Sequence, residues 1–461
     1  MNSKGTGFWY PRPGNTTTGY ALSSLDLGPE QASYIIEGEH RLTGTIRPSG
    51  AKNAVLPIMA ATLLTRQPCT ILNVPALRDV AMMVEILKAL GATVEYSYTA
   101  GQRSLTIQVA EVTSTTGPAD LMGEIRSSIF IMGPLLARVS ECTVTYPGGC
   151  SIGPRPIDLH LKGLRLLGAT ISEQHGRIMA TTRGLRGTDI HLDFPSVGAT
   201  ENLMMAAVLA EGCTVIRNAA KEPEIVDLQD FLNLIGASIR GAGTDTIRIT
   251  GQRELGGGQH AVIPDRIEAG TLAIAACATG GDVRLEGVIP DHLQALTAKL
   301  GEMGVEITEE DDGTLRVRSR GRLQATDIKT LPYPGFATDL QPQAMALMSL
   351  ADGTSILTET VFEKRFNHVE ELRRMGADIR VDGRTAVIKG PARLTGTTVH
   401  ATDLRAGAGL VIAALAAEGL SVVRDISHIE RGYEALDQKL AVLGAKIEKK
   451  DDNRRVQACT G

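Results

Sequence analysis

The chain has 461 residues, 43% of them hydrophobic and 21% charged, with a formal net charge of -5. That length exceeds what one hydrophobic core usually serves, so two or three domains are expected. A slightly acidic chain argues against nucleic acid or an anionic membrane as the main partner, since both select basic surfaces, and no apolar run nears the roughly 20 residues that span a bilayer.

Residues 1–33 are rich in Gly, Pro, Ser and Thr and have no apolar h-region, so they read as a flexible extension and not as a signal peptide. Phe8, Trp9 and Tyr10 within it either dock on the folded body or share its disorder. From there one unit repeats six times. Each copy starts with a helix that is apolar throughout, at 53–64, 127–138, 200–210, 269–279, 340–351 and 406–417. A helix without a polar face is buried on all sides. A strand, an amphipathic outer helix, a glycine-capped turn and two further strands follow it.

The capped turns are the clearest mark of the repeat. They read Leu90-Gly91-Ala92, Leu167-Gly168-Ala169, Ile235-Gly236-Ala237, Met303-Gly304-Val305, Met375-Gly376-Ala377 and Leu443-Gly444-Ala445, with glycines spaced by 77, 68, 68, 72 and 68 residues. Glycine after the last apolar helical position, followed by alternation, predicts a helix C-terminus and then a strand. Such a unit cannot close its own core, so copies must pack around a shared axis. Two groups of three suit the size better than one ring of six.

Six cysteines show neither CxxC spacing nor histidine partners, so neither zinc nor disulfides are suggested, and a reducing cytoplasm fits. Cys69, Cys142 and Cys213 recur where a strand begins and read as small buried side chains, as does Cys277 in an apolar helix, while Cys459 lies in a polar tail. Cys150 keeps no such pattern. From strand start to capping glycine five units take 22 to 24 residues, but the second takes 26, from Cys142 to Gly168. The surplus falls in the run from Tyr146 to Asp158, whose three prolines and three glycines specify an exposed loop. A cysteine there, near Arg155 at a cleft mouth, either acts as nucleophile or acid, or stands there by chance.

Lys52 and Asn53, Arg126, Ser196 with Gly198, Asp339 and Arg405 stand at or just before the buried helices' N-termini. Helix N-termini favour anions, and added Lys or Arg makes a phosphate or carboxylate site, whereas an unpaired cation there opposes the dipole. Asp339 taken alone reads as a helix N-cap after Thr338.

Several runs together resemble the UDP-N-acetylglucosamine enolpyruvyltransferases: Ser49-Gly50-Ala51-Lys52-Asn53, Pro147-Gly148-Gly149-Cys150-Ser151-Ile152-Gly153-Pro154-Arg155-Pro156, Ser196-Val197-Gly198-Ala199-Thr200, Ala401-Thr402-Asp403-Leu404-Arg405 and His428-Ile429-Glu430-Arg431-Gly432-Tyr433-Glu434. They stay in register from about residue 33 to the C-terminus. The resemblance implies an α/β fold of two inside-out domains, each of three βαβαββ units, one at 52–263 and the other combining 34–51 with 264–461. It implies transfer of the enolpyruvyl group of phosphoenolpyruvate to the 3-hydroxyl of UDP-N-acetylglucosamine, with phosphate released, as the first committed step towards peptidoglycan.

That chemistry needs one acid and one base and no metal or redox cofactor. By resemblance Cys150 donates the proton and forms a covalent adduct, and Asp339 deprotonates the sugar hydroxyl. Lys52, Asn53, Arg126, Arg155, Arg405 and Arg431 surround phosphoenolpyruvate, with Lys52 and Arg431 also catalytic. UDP-N-acetylglucosamine falls to Asn53, Arg126, Arg155, Pro156, Ile157, Asp158, Leu159, Ser196, Val197, Gly198, Asp339 and Val361. Closure of the cleft would assemble cations from both halves and exclude water. Phe194 stands where some members carry a lysine, which leaves the diphosphate to backbone N–H groups. His160 either contacts uridine or is structural. The transferase acting on shikimate 3-phosphate shares the fold, but it lacks the Gly-Gly-Cys loop; a non-catalytic sugar-nucleotide sensor is the rival of another class.

Overall fold

A computed structural model of the chain describes residues 32–99, 101–146, 148, 157–310 and 313–451. All six capping glycines lie at positive φ, between 87° and 108°, and a strand starts two residues after each. The buried helices run at Lys52–Ala61, Met132–Val139, Val197–Ala207, Arg266–Ala278, Gln341–Leu350 and Leu404–Ala416.

Two of them are shorter than expected because 3-10 turns, Arg126–Ile131 and Thr338–Leu340, replace their first residues. Pro134 and Pro342, which have no N–H to donate, fall in the first turns of the helices that remain, where a missing N–H costs nothing.

Five four-stranded sheets and one three-stranded sheet wrap these helices. Their strands bury one face only, so the sheets form the outer wall and the helices the centre, the reverse of the common layering. Two separate hydrophobic cores result. One gathers residues from Ala51 to Val262; the other takes Ala32 to Leu42 and then Ile267 to Ala445. Helices within each core pack closely: a Cβ on Gly133 would stand 2.3 Å from the Asn202 carbonyl oxygen, and one on Gly409 would stand 2.8 Å from that of Pro342.

Every four-stranded sheet includes a strand from outside its own unit, whereas the three-stranded one has only the Thr116–Thr143 bridge at that edge. In the sixth unit the expected closing strand comes from the other end of the chain, where Ala32–Glu37 pairs antiparallel with both Leu420–Arg424 and Lys446–Asp451. It begins inside the last two residues of the segment expected as an extension. Similarly Gly258–Ala261 pairs parallel with Cys69–Leu72, and Thr43–Ile46 with Asp282–Leu285. Where the chain passes between cores the two crossings lie side by side, with Ala51 N–H donating to the Ile263 carbonyl and Asp265 N–H to that of Ser49, both at 2.8 Å.

The expectation of three buried strand-start cysteines is corrected at one position. Cys69 and Cys142 are fully buried, but Cys213 is exposed. Strand Cys213–Arg217 buries Thr214 and Ile216, one residue out of phase with Cys69/Ile71 and Cys142/Val144, and a one-residue shift turns every side chain to the other face. Burial pushes the Cys69 thiol up to about 11 and that of Cys277 higher still. Cys150, Arg155, Pro156, Cys459 and the Phe8-Trp9-Tyr10 cluster lie outside the described residues. Helix Asp158–Leu166 already begins at Asp158, so the expected loop ends one residue early.

Candidate active site between the two cores

Lys52 opens the first buried helix, and Ala51 before it caps nothing with its side chain. Its cation should oppose the helix dipole, but Lys52 Nζ sits 2.7 Å from Asp79 Oδ2. Asp79 also takes Arg431 from the other core, whose Nε lies 3.0 Å from Oδ1 and whose Nη2 donates to the Glu124 carbonyl at 3.1 Å. One carboxylate thus holds two cations from opposite sides. Burial would raise the Asp79 carboxyl, but Lys52 and Arg431 outweigh it and keep it low. Burial lowers the Lys52 ammonium despite Asp79, with Arg405 and Arg431 adding to the effect.

A second cluster lies at the fifth buried helix. Asp339 stands inside its leading 3-10 turn, whose cap position is Ala337, so it is not the N-cap residue. Its carboxylate instead accepts from Arg365 at Oδ1 (2.9 Å) and from Arg405 Nη2 and Nε at Oδ2 (2.9 and 3.2 Å). Arg405 is in turn fixed by its own helix start, where Asp403 accepts from the amides of residues 405 and 406. Its guanidinium stacks on Tyr433 at 5.3 Å. Burial acts against its charge, but Asp339 and the neighbouring groups keep Arg405 protonated.

Three of the proposed nucleotide residues, Ser196, Val197 and Gly198, stand at the start of helix Val197–Ala207. Ser196 caps it, accepting from Ala199 N–H at 3.3 Å. Asn202, one turn on, accepts from Gly133 N–H at 2.7 Å, which fixes its amide so that its NH2 donates to the Ile129 carbonyl and to His160 Nδ1, each at 3.1 Å. The imidazole proton is therefore on Nε2, which lies against Gly198. His160 is 5% exposed, and burial, helped by Arg126, pushes its pKa down to about 3. That makes it a packed structural histidine beside the helix N-terminus. Around it Ile157 is buried, Asp158 exposed and Leu159 half-buried, while Asn53 is exposed on the first helix and Phe194 lies 44% exposed two residues before Ser196. Val361 is placed by its amide, which donates to Glu359 Oε1 at 2.8 Å.

Asp79, Arg365 and Glu359 were missed in the sequence. Asp79 is an acid in the first turn of an outer helix, which reads as ordinary dipole pairing. Arg365 had a signal: the fifth outer helix, Val369–Arg374, is only 6 residues against 12 in the first unit, and the lost turns became the segment carrying it. Among the described residues no group of His, Cys, Asp or Glu is arranged to hold a metal, and no helix is long and apolar enough to cross a membrane.

Comparison with known proteins agrees with this architecture. The solved enolpyruvyl transferase NikO from Streptomyces tendae superposes with a TM-score of 0.83 at 26% identity, covering 92% of this chain and 99% of that one. EPSP synthase from Acinetobacter baumannii shares the fold, with a TM-score of 0.70 at 18% identity over 91% of this chain and all of the other. The class is that of two-domain α/β enolpyruvyl transferases. A family model described as EPSP synthase (3-phosphoshikimate 1-carboxyvinyltransferase) matches residues 36–440. UDP-N-acetylglucosamine 1-carboxyvinyltransferase 1 of Carboxydothermus hydrogenoformans is 57% identical over 416 residues, 90% of this chain and 98% of that protein. Its namesake in Symbiobacterium thermophilum is 58% identical over 418 residues, 90% and 95% of the two chains. The chain belongs to the EPSP synthase family and, within it, to the UDP-N-acetylglucosamine 1-carboxyvinyltransferases.

Proposed function

We propose that the protein transfers the enolpyruvyl group of phosphoenolpyruvate to the 3-hydroxyl of UDP-N-acetylglucosamine, releasing phosphate, and so opens peptidoglycan synthesis in the cytoplasm. The observation that carries this reading is identity of 54–58% to relatives of that name over about nine-tenths of the chain. Against shikimate 3-phosphate stands the 18% identity to a solved EPSP synthase, which carries the fold only.

The site chemistry suits the reaction. In the proposed course the sugar oxygen bonds to C2 of phosphoenolpyruvate, its proton passes towards Asp339, and a proton from Cys150 reaches the methylene carbon. Loss of a proton from that carbon then expels phosphate and restores the double bond. The cations Lys52, Arg126, Arg155, Arg405 and Arg431 face the phosphate and carboxylate, where fixed guanidinium groups stabilise anions without reorganising. Support comes from the way Asp79 and Asp339 already hold three of these cations, Lys52, Arg431 and Arg405, in place.

Phosphate release measured with phosphoenolpyruvate plus UDP-N-acetylglucosamine, plus shikimate 3-phosphate, or with no acceptor tests the proposal. Release with the sugar nucleotide alone is expected, and its absence would overturn the reading. Fosfomycin, an epoxide, should alkylate the Cys150 thiol. Mass spectrometry finding the adduct on exposed Cys213 instead would count against the assignment of Cys150.

A further inference from the structure

Glu359 follows strand Gly353–Thr358, is completely buried, and takes its hydrogen bonds from neutral groups of the chain. Four donors converge on its carboxylate. Oε1 accepts from the Val361 amide (2.8 Å), the Phe362 amide (3.1 Å) and the Thr330 hydroxyl (2.8 Å), and Oε2 accepts from the Thr338 hydroxyl at 2.8 Å. A carboxylate has no proton to give, so both hydroxyls must donate to it. Thr330 shows the consequence, since its oxygen then accepts from the Thr360 amide at 2.9 Å.

At Thr338 the same polarity matters for the site. With its proton committed to Glu359, the Thr338 oxygen accepts from Arg365 Nη1 at 3.0 Å, while Arg365 Nη2 holds Asp339 Oδ1 at 2.9 Å. Arg365 also stacks on the Phe362 ring at 5.3 Å, and Phe362 is the residue whose amide Glu359 fixes. Both supports of Arg365 therefore lead to one buried acid. Its other amide bond fixes Val361, which is assigned to the sugar nucleotide.

We infer that Glu359 is a positioning residue that aims the Asp339 carboxylate through Thr338 and Arg365, and sets the Val361 turn against the sugar nucleotide. This rests on the proposed reaction, in which Asp339 meets the sugar hydroxyl. A small misplacement of a reacting group costs rate more than binding, on the order of 10- to 100-fold.

Steady-state kinetics of the full chain with Thr338→Val, Thr338→Ser and Glu359→Gln test it, with melting temperatures alongside. Thr338→Val keeps the side-chain shape and removes the hydroxyl; kcat should fall at least about 10-fold with KM for UDP-N-acetylglucosamine within about 2-fold. Thr338→Ser restores the hydroxyl and should return kcat to within about 3-fold of wild type. Glu359→Gln should lower kcat and also raise KM for the sugar nucleotide, because the Val361 turn loosens. Wild-type kcat in Thr338→Val, or equal loss in Thr338→Ser and Thr338→Val, would overturn the inference while the reaction stands. An inactive wild type would overturn the reaction and the inference together.

Discussion

Asp79 joins what the fold keeps apart. Lys52 belongs to the first core's helix and Arg431 to the second core's last turn, and both rest on the same carboxylate. Removing one partner of a buried charge network leaves the others uncompensated, at about 3–5 kcal/mol. Asp79→Asn should therefore lower the melting temperature markedly while keeping the side-chain shape. The two stranded cations would then be a better anion site than before, so inorganic phosphate should recover more stability in the variant than in wild type. Thermal denaturation across a phosphate series checks this, and equal gains in both proteins would sink it. Lys52 and Arg431 were legible because they stand within dense motifs; Asp79 was not, because acids in the first turn of a helix are commonplace. Glu359 was hidden for a different reason, being joined to Asp339 only by tertiary contact, and Arg365 left only the short fifth outer helix as a trace.

Among the elements, the buried helices and glycine-capped turns were readable because they follow from periodicity and backbone sterics. Strand phase was not. The phrase Cys-Thr-Ile or Cys-Thr-Val is the same at Cys69, Cys142 and Cys213, yet the third strand faces the other way, since its register is set by pairing with Thr246–Thr250. Borrowed strands were equally hidden, because pairing between Ala32–Glu37 and Lys446–Asp451 spans the whole chain. The helix pair around His160 allows a test at this scale. Packed between Asp158–Leu166 and Val197–Ala207, His160 has its pKa lowered from 6.5 to about 3, so between those values the unfolded chain binds a proton that the folded one refuses. Stability should then fall as pH drops below 6.5, approaching about 1.4 kcal/mol per pH unit for this one group. Carboxylates such as Glu201, raised by burial and by Glu224 and Glu222, oppose the trend, so the difference between proteins is the useful quantity. Denaturant melts between pH 6 and 5 should give a shallower slope for His160→Gln by roughly 1 kcal/mol per unit. Parallel slopes would refute the structural assignment of this histidine.

At the scale of the whole molecule, no described residue belongs to both hydrophobic cores, and the side-by-side crossings and polar contacts run between them. Arg266 pairs with Glu224 at 3.1 Å, and the Tyr333 amide donates to Glu222 at 3.3 Å. Glu434 makes a further set: it pairs with Arg103 and accepts from the Ser49 hydroxyl at 2.9 Å and the Ala76 amide at 3.1 Å. Burial would raise its carboxyl, but Arg103 and the other donors keep it low, so it remains charged. Only Gly432 and Tyr433 separate it from Arg431, so the turn that Glu434 anchors is the one that delivers Arg431 to Asp79. Polar interfaces of this kind favour relative motion unless such anchors hold. Glu434→Ala removes the anchor without touching either core. A hydrogen bond to a charged group is worth about 1.5–3 kcal/mol, so exchange of the Ala76 amide should speed up by about 10- to 150-fold. Amides in the strands Cys69–Leu72 and Leu420–Arg424 should keep their protection, because both lie within intact sheets. Turnover should fall in step, as Arg431 reaches Asp79 less often. Acceleration spread evenly over both cores would mean that Glu434 supports the fold in general, and unchanged exchange at Ala76 would mean that the other contacts between the cores hold this turn without Glu434.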